Sequence, residues 1–246
     1  MKTTNNTILI TGGSAGIGFA IAKTLSEKGN HVIITGRNAD RLEKAAAQLK
    51  NVTPIVSDVT NEQDVDKLVS TLTEKFPKLN VVINNAGNSY LYRWVAGADA
   101  VVKVKEEMQT NFFSVVDINE KLFPLLSKQN EAAIVNVSSI VSFVPSLNIP
   151  GYSATKAALH SYTQSLRLIL KDSSVKVFEL MPPLVNTEFS AEIGGANGIP
   201  PQQVADELTA AFEKDEYEIH VGGTADLYKA FLSSPQDALH AMNAGR

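Results

Sequence analysis

Short apolar stretches alternate with helix-length amphipathic segments along most of this 246-residue chain. The short stretches are rich in β-branched and aliphatic residues, whereas the longer segments place apolar residues at helical spacing. This alternation predicts an α/β fold in which helices cover both faces of a doubly wound parallel sheet. Six strands are predicted, at Ile8–Thr11, Val32–Thr35, Thr53–Ser57, Val81–Asn84, Ala133–Val137 and Val175–Leu180.

Helices are predicted in the segments between these strands, and they are expected to begin near polar capping residues. Thr60 and Ser153 are the candidate caps for two of them. No change of composition marks a linker, so residues 1–246 are predicted to form one domain. The predicted helices are Ile17–Glu27, Arg41–Leu49, Glu62–Phe76, Val101–Leu126 and Tyr152–Leu170.

The chain after Leu180 departs from this pattern. Pro182-Pro183 and the glycines and prolines of residues 194–201 interrupt regular structure, so residues 187–201 are predicted to form a flexible flap that shapes the substrate site. Regular elements are expected to resume beyond the flap, at the helix Pro201–Lys214, the strand Glu218–Val221 and the helices Thr224–Leu232 and Pro235–Asn243.

Composition and charge narrow the classes of function. A formal charge of -4 gives no broad attraction to nucleic acid or anionic lipid, so a small molecule is the expected partner. The chain has no cysteine and its four histidines lack metal-ligand spacing, so no metal site is predicted and redox chemistry would need a bound cofactor. With no run of roughly 20 apolar residues and no signal-peptide pattern, no membrane span and a cytoplasmic location are predicted.

A glycine-rich turn joins the first predicted strand to the first predicted helix. Gly12, Gly16 and Gly18 allow positive φ angles, close approach of a pyrophosphate and tight helix packing, and the amino end of the helix faces the anion. The alternative is that these glycines only close a tight turn. The strand before them and the helix after them favour cofactor binding, with Ser14 and Ile17 of the same turn as further candidates.

The ends of the next two predicted strands bear on the choice of cofactor. An acid about 20 residues beyond the glycines would hold the ribose 2′-hydroxyl of NAD, but this chain has Arg37 there. Arg37 suits a 2′-phosphate and favours NADP(H) over NAD(H), unless it is only a solvated loop residue. Asp58 is placed to accept from the adenine amino group while Val59 lines the ring; equally, Asp58 only begins the turn before the next helix.

Tyr152 and Lys156 lie four residues apart, so both side chains share one face of a helix. A nearby ammonium is expected to lower the tyrosine pKa and suit the phenol to acid-base work. Ser139 follows the fifth predicted strand at the sheet edge where ligands bind, and its hydroxyl could hold a substrate oxygen beside Tyr152. The alternatives are a surface Tyr-Lys pair and an ordinary strand-end hydrogen bond.

These motifs together resemble those of the short-chain dehydrogenase/reductase family. They are the turn Thr11–Gly18, the segment Asn84-Asn85-Ala86-Gly87, Ser139, and Tyr152 with Lys156, in this order. The likeness spans about residues 7–190 and implies a Rossmann-type sheet with a Tyr-Lys-Ser active site.

The resemblance also implies a role for each matching catalytic residue. Tyr152 would be the general acid/base, and Ser139 would position the substrate oxygen. Lys156 would lower the tyrosine pKa and bind the nicotinamide ribose. Asn111 matches an asparagine that joins a water-linked proton relay through a local distortion of its helix.

Further residues are assigned to the cofactor by the same resemblance. Asn85, Ala86 and Gly87 would support the sheet and the cofactor, and Val185 and Thr187 would lie near the nicotinamide carboxamide. The family's oligomers pair the two long helices, so a homodimer or homotetramer is expected.

The chain departs from the family pattern at Pro182-Pro183, where proline-glycine is usual. Because proline fixes φ and lacks an N–H, the loop over the nicotinamide is expected to be stiffer or differently aimed.

The function predicted is hydride transfer between NADP(H) and a carbonyl or alcohol substrate. Two alternatives remain, a catalytically silent nucleotide-binding sensor or scaffold and an epimerase or dehydratase that uses the cofactor transiently. Tyr90, Tyr92 and Trp94 either line the substrate mouth or belong to the core or a subunit contact.

Overall fold

The computed structural model describes residues 1–244, so the last two residues of the predicted domain lie outside the described chain. The strands are β1 (Thr7–Thr11), β2 (His31–Gly36), β3 (Val52–Val56), β4 (Leu79–Asn84), β5 (Ala132–Val137), β6 (Val175–Met181) and β7 (Glu218–His220). These seven parallel strands form one sheet in the order β3-β2-β1-β4-β5-β6-β7, which confirms the predicted doubly wound arrangement. None of the helices within residues 1–244 has the length and apolar character needed to cross a bilayer.

The sheet separates two apolar cores. Successive side chains of a strand point to opposite faces, so Ile8 and Ile10 of β1 pack in one core and Leu9 in the other. The helices are α1 (Gly16–Glu27), α2 (Ala39–Ala46), α3 (Glu62–Lys75), α4 (Ala100–Met108), α5 (Ser114–Leu126), α6 (Pro150–Ile169), α7 (Pro201–Lys214), α8 (Thr224–Ser233) and α9 (Pro235–Asn243). Helices α1, α2 and α7 cover the first face, while α3, α5 and the end of α6 cover the second.

The predicted cap at Thr60 is wrong. Asn61 caps α3 instead, because its side chain accepts a hydrogen bond from the backbone N–H of Asp64 at 3.1 Å. Thr60 turns away from the helix and bonds to Asp58, with its hydroxyl 2.7 Å from Oδ1.

The predicted cap at Ser153 is also wrong. Helix α6 begins at Pro150, two residues before the predicted start, because the fixed φ of proline suits the first turn of a helix. Ser153 therefore lies inside the helix, and its hydroxyl donates to the carbonyl oxygen of Ile149 at 3.0 Å.

The helix predicted at Val101–Leu126 is present, but it is interrupted. A π-helical turn, Gln109–Phe113, separates α4 from α5. Asn111 lies within that turn and accepts from the backbone N–H of Asn88 at 2.7 Å. The local helix distortion implied by the family resemblance is therefore present at Asn111.

The flap region is irregular, as predicted, but it has its own hydrogen bonds. Two short 3₁₀ helices occupy Glu188–Ile193 and Gly195–Asn197. At its base, Val185 pairs with Ile199, and the N–H of Ile199 donates to the carbonyl oxygen of Leu184 at 3.0 Å. These bonds tie the two ends of the flap together, and its flexibility stays a prediction.

Candidate active site

A cleft of about 750 Å³ opens at the carboxyl ends of the strands. Its wall includes the residues that follow β1, β3, β4 and β6 and the last residues of β2 and β5. The strand order reverses at β1, and such a switch point is where open α/β sheets bind ligands. The predicted site residues that line the cleft are Gly12, Ser14, Gly16, Ile17, Arg37, Asp58, Val59, Asn85, Ala86, Gly87, Tyr152, Lys156 and Thr187.

The glycine turn has the geometry that a phosphate group needs. Gly12 and Gly16 have φ angles of +66° and +55°, which other residues rarely adopt. A Cβ atom on Gly18 would stand 2.5 Å from the carbonyl oxygen of Gly12. A Cβ on Gly13, a residue that the sequence analysis did not select, would stand 2.6 Å from Cγ2 of Ile34. Gly13 and Gly18 are therefore buried where any side chain would collide with the protein, while Gly12 and Gly16 border the cleft.

The segment after β4 holds this turn in place. The hydroxyl oxygen of Thr11 accepts from the backbone N–H groups of Asn85 and Ala86, both at 3.0 Å. The side-chain amide of Asn85 donates in return to the carbonyl oxygens of Thr11 at 2.9 Å and Gly12 at 3.1 Å. Two chain segments more than 70 residues apart thus form one rigid floor for the cleft.

The cleft fits a dinucleotide. It runs from Arg37 and Asp58, beyond the glycine turn, to Tyr152 and Lys156 on α6. The amino end of α1 opens at the glycine turn, where a helix dipole favours a pyrophosphate. Arg37 is exposed at the cleft and could meet a 2′-phosphate.

Asp58 has the structural role that was the alternative in the sequence analysis. Its Oδ1 accepts from the backbone N–H of Thr60 at 2.9 Å and from the hydroxyl of the same residue. Asp58 therefore builds the turn before α3 while it also borders the cleft. Neighbouring Val59 is nearly buried and lines the cleft, as an adenine contact would require.

Tyr152 and Lys156 line the other end of the cleft, and Ser139, which does not line it, lies against Tyr152. The Tyr152 hydroxyl is hydrogen-bonded to Ser139, whose Oγ also accepts from the N–H of Val141 at 3.3 Å. Lys156 is 3% exposed, and its Nζ donates to the carbonyl oxygen of Val137 at 2.8 Å. The same Nζ lies 5.4 Å from the centre of the Tyr152 ring.

The pKa of Tyr152 shifts in the direction opposite to the expectation from sequence. Burial raises it, the nearby charge of Glu107 adds to that increase, and the hydrogen bond from Ser139 opposes it. Burial also lowers the pKa of Lys156 to about 8, against the charge of Glu179. The expected lowering of the Tyr152 pKa fails because burial and the Glu107 charge together outweigh the hydrogen bond from Ser139, so the phenol keeps its proton at neutral pH.

Asn111 lies behind the cleft wall and is fully buried. Its side-chain amide donates to the carbonyl oxygen of Asn88 at 2.8 Å and to the hydroxyl oxygen of Thr155 at 3.0 Å. Thr155 in turn donates to the carbonyl oxygen of Tyr152 at 2.8 Å. The π-helical turn is thus joined to the helix that carries the tyrosine and the lysine.

Two predicted cofactor residues lie away from the cleft surface. Gly18 is covered by Asn85, and Val185 is 5% exposed within the apolar core. The proline pair does border the site, since Pro182 lines the cleft and its carbonyl oxygen accepts from the N–H of Ile140 at 3.0 Å.

The aromatic candidates separate into three environments. Tyr90 lines the cleft, Tyr92 is nearly buried, and Trp94 is 79% exposed. Phe189 of the flap also lines the cleft, with its ring centre 5.9 Å from that of Tyr152. Nothing local in the sequence separates Phe189 from the other phenylalanines, although it falls inside the predicted flap.

Sequence reasoning missed several charged groups around the site. Arg41 lines the cleft and forms an ion pair with Glu188 of the flap. Glu107 is buried, and one of its oxygens accepts from the N–H of Tyr90 at 2.8 Å while the other has no hydrogen-bond partner among residues 1–244. No group of three or more potential metal ligands occurs within that described range.

Comparisons with known proteins agree with this geometry. The sequence profile of a family described as short chain dehydrogenase matches residues 6–197. The uncharacterized oxidoreductase DltE of Bacillus subtilis is 42% identical over 207 residues, which cover 84% of this chain and 82% of that protein.

Two solved structures share the fold over nearly their whole length. A short chain dehydrogenase from Burkholderia cenocepacia in complex with NADP has a TM-score of 0.87 and 27% identity, with full coverage of both chains. A short chain dehydrogenase/reductase from Burkholderia phymatum in complex with NAD also has a TM-score of 0.87, with 20% identity over 100% of this chain and 98% of that chain. At 20% identity, the second likeness supports the fold alone.

We expect Gly18→Ala to reduce both stability and nucleotide affinity. Alanine stabilises a helix more than glycine does, but its Cβ at position 18 would collide with the Gly12 carbonyl oxygen. The free energy of unfolding should therefore fall by about 1–3 kcal/mol. Urea unfolding and a fluorescence titration with NADPH measure the two effects.

Gly223→Ala is the matched control. A Cβ at Gly223 would meet no atom within 4 Å, and its φ of -65° suits any residue, so stability should change by less than about 0.5 kcal/mol. Equal behaviour of the two variants would contradict the proposed geometry of the turn.

Proposed function

The chain belongs to the short-chain dehydrogenase/reductase family of NAD(P)-dependent oxidoreductases, and from that premise we propose that it transfers a hydride between NADP(H) and a carbonyl or alcohol substrate. The observation that carries the proposal is the contact of Tyr152 with Ser139, together with Lys156 Nζ 5.4 Å from the centre of the Tyr152 ring, at one end of a dinucleotide-sized cleft. We assign catalysis to Asn111, Ser139, Tyr152 and Lys156.

Each of these side chains has a distinct part in the proposed reaction. The nicotinamide, when bound, supplies or accepts the hydride at the substrate carbon. Tyr152 holds a proton for the carbonyl oxygen during reduction and takes it back during oxidation. Ser139 positions that oxygen beside the phenol, and the Lys156 ammonium stabilises the negative charge that develops on Tyr152.

Asn111 is buried and does not line the cleft, so its proposed role is indirect. Its contacts with Asn88 and Thr155 hold the π-helical turn against α6. We propose that this junction gives a water-linked path by which the proton used by Tyr152 is replaced.

The preference for NADP(H) rests on the chain's own residues. Arg37 stands at the end of β2 where an NAD-binding protein would carry an acid, and Arg41 lines the same part of the cleft. Two guanidinium groups favour a 2′-phosphate over a hydroxyl. The related structure with NADP is consistent with this preference.

We also propose a homodimer or homotetramer. Phe113 next to α5 is 54% exposed, and Leu168 and Ile169 at the end of α6 are 71% and 74% exposed. Pairing of the long helices across subunits would cover such apolar surface.

Arg37→Ala should weaken NADPH binding about 10- to 100-fold and leave NADH binding unchanged, because a charge-assisted contact to the 2′-phosphate is worth about 1.5–3 kcal/mol. Fluorescence titration measures both affinities. Arg93→Ala, which removes an exposed arginine away from the cleft, is the control. Equal loss of both nucleotides would contradict the assignment, and failure of the wild type to bind either would contradict the function.

Tyr152→Phe should lower kcat for carbonyl reduction about 10²- to 10⁴-fold, the usual contribution of a general acid, with the NADPH affinity unchanged. Single-wavelength assays of NADPH oxidation against a carbonyl panel measure the rate. Tyr162→Phe, on the same helix but outside the cleft, should retain activity. A fully active Tyr152→Phe variant would exclude Tyr152 as the acid. If the wild type binds nucleotide but reduces no carbonyl, the alternative of a catalytically silent sensor is favoured.

The pH dependence of reduction should reflect Lys156. Because its pKa is lowered to about 8, the ammonium is present below that pH and is lost as the pH rises through it. We therefore expect kcat/KM to fall above about pH 8. Lys156→Arg keeps its charge at high pH, so its residual activity should lack this decline, and an identical decline in both proteins would contradict the assignment.

A further inference from the structure

A buried cluster behind the catalytic lysine has no part in the chemistry described above. Glu179 of β6 is fully buried, and its Oε1 accepts from the Ser138 hydroxyl at 2.5 Å. The ring of His160 approaches the same carboxylate from α6, with Nδ1 2.9 Å from Oε2. Both contacts come from elements that also hold the active site.

The cluster is linked closely to Lys156. Ser138 lies between Val137, whose carbonyl oxygen accepts from the lysine Nζ, and the catalytic Ser139. His160 follows Lys156 by four residues, so both side chains lie on one face of α6. The charge of Glu179 raises the pKa of Lys156 against the effect of burial.

A buried ammonium is costly unless an anion lies close to it. Tyr152 does not supply that anion, because burial raises the pKa of its phenol. Glu107 is a weaker candidate, because burial raises the pKa of its carboxyl despite a hydrogen bond from the N–H of Tyr90. Glu179 is the remaining acid, and its carboxylate accepts a hydrogen bond from the Ser138 hydroxyl and lies against the His160 ring.

We propose that Glu179 is a positioning residue whose buried charge, held by Ser138 and His160, keeps Lys156 charged without a direct ion pair between the two side chains, and that His160 controls this effect by sharing the carboxylate. The proposal rests on the proposed function, because it assigns a purpose to the charge on Lys156. It adds a second layer of residues to the site, contributed by β6 and by the next turn of α6.

The charged groups around His160 set its pKa, and its protonation state determines how strongly Glu179 stabilises Lys156. The hydrogen bond with Glu179 raises the pKa of His160 and burial opposes it; Glu218 raises it further and Arg167 lowers it. His220 of β7 also faces this cluster, and burial lowers its pKa. At a pH below the raised pKa of His160, the protonated imidazole pairs with Glu179 and weakens the effect of the Glu179 charge on Lys156. At a pH above that pKa, His160 is neutral and the Glu179 charge stabilises the Lys156 ammonium in full.

The test is the pKa of Lys156 itself, read from the ¹³C chemical shift of lysine-labelled protein, with the Lys156→Arg spectrum for assignment. Glu179→Gln has nearly the same shape without the charge, and it should lower the titration midpoint by roughly one pH unit or more. Glu218→Gln, which removes an acid that faces His160 and pairs with Arg167, should leave the Lys156 midpoint unchanged. The same midpoint in wild type and Glu179→Gln would overturn the proposal.

A reciprocal measurement applies if Glu179→Gln does not fold. Coupling between two sites is mutual, so Lys156→Met, which removes the competing cation, should raise the pKa of His160 in an imidazole NMR titration. An unchanged His160 pKa would overturn the proposal. Neither titration requires turnover, so a protein that passes both but binds no nucleotide would refute the proposed function and leave the counter-ion assignment standing.

Discussion

The parallel pairing of β1 with both β2 and β4 is the constraint on which the site depends. It sends the connections on either side of β1 in opposite directions and opens a crevice at the carboxyl ends of the strands. The hydrogen bonds between Thr11 and Asn85 then join the two sides of that crevice. The glycine turn takes its position from this floor, whereas α6 is held against the π-helical turn through Asn111 and Thr155.

Burial sets the chemistry at the catalytic end. It raises the pKa of Tyr152, so the phenol stays protonated, and it lowers the pKa of Lys156 to about 8, so the ammonium needs support. The hydrogen bond from Ser139 opposes the first shift, and the charge of Glu179 opposes the second. The site therefore holds a protonated phenol and an ammonium together away from water, and the neighbouring protein groups replace the stabilisation that water would give them.

The sequence predicted the features that local patterns determine. The parallel, doubly wound sheet and the glycine turn follow from alternation and spacing, and Asn111 lies in the distorted helix that the family resemblance implied. The cap at Thr60 failed because a neighbouring asparagine competes for the same position. The direction of the Tyr152 pKa shift and the role of Glu179 depend on burial and on contacts between residues distant in the chain, which no local pattern encodes.

A crystal structure of the protein with NADPH would locate the reactive ring relative to the proposed acid. We expect the pyrophosphate at the glycine turn, the 2′-phosphate at Arg37, and the nicotinamide beside Tyr152, with its ribose within hydrogen-bonding distance of Lys156. A nucleotide bound elsewhere, or a nicotinamide ring remote from Tyr152 and Ser139, would contradict this expectation.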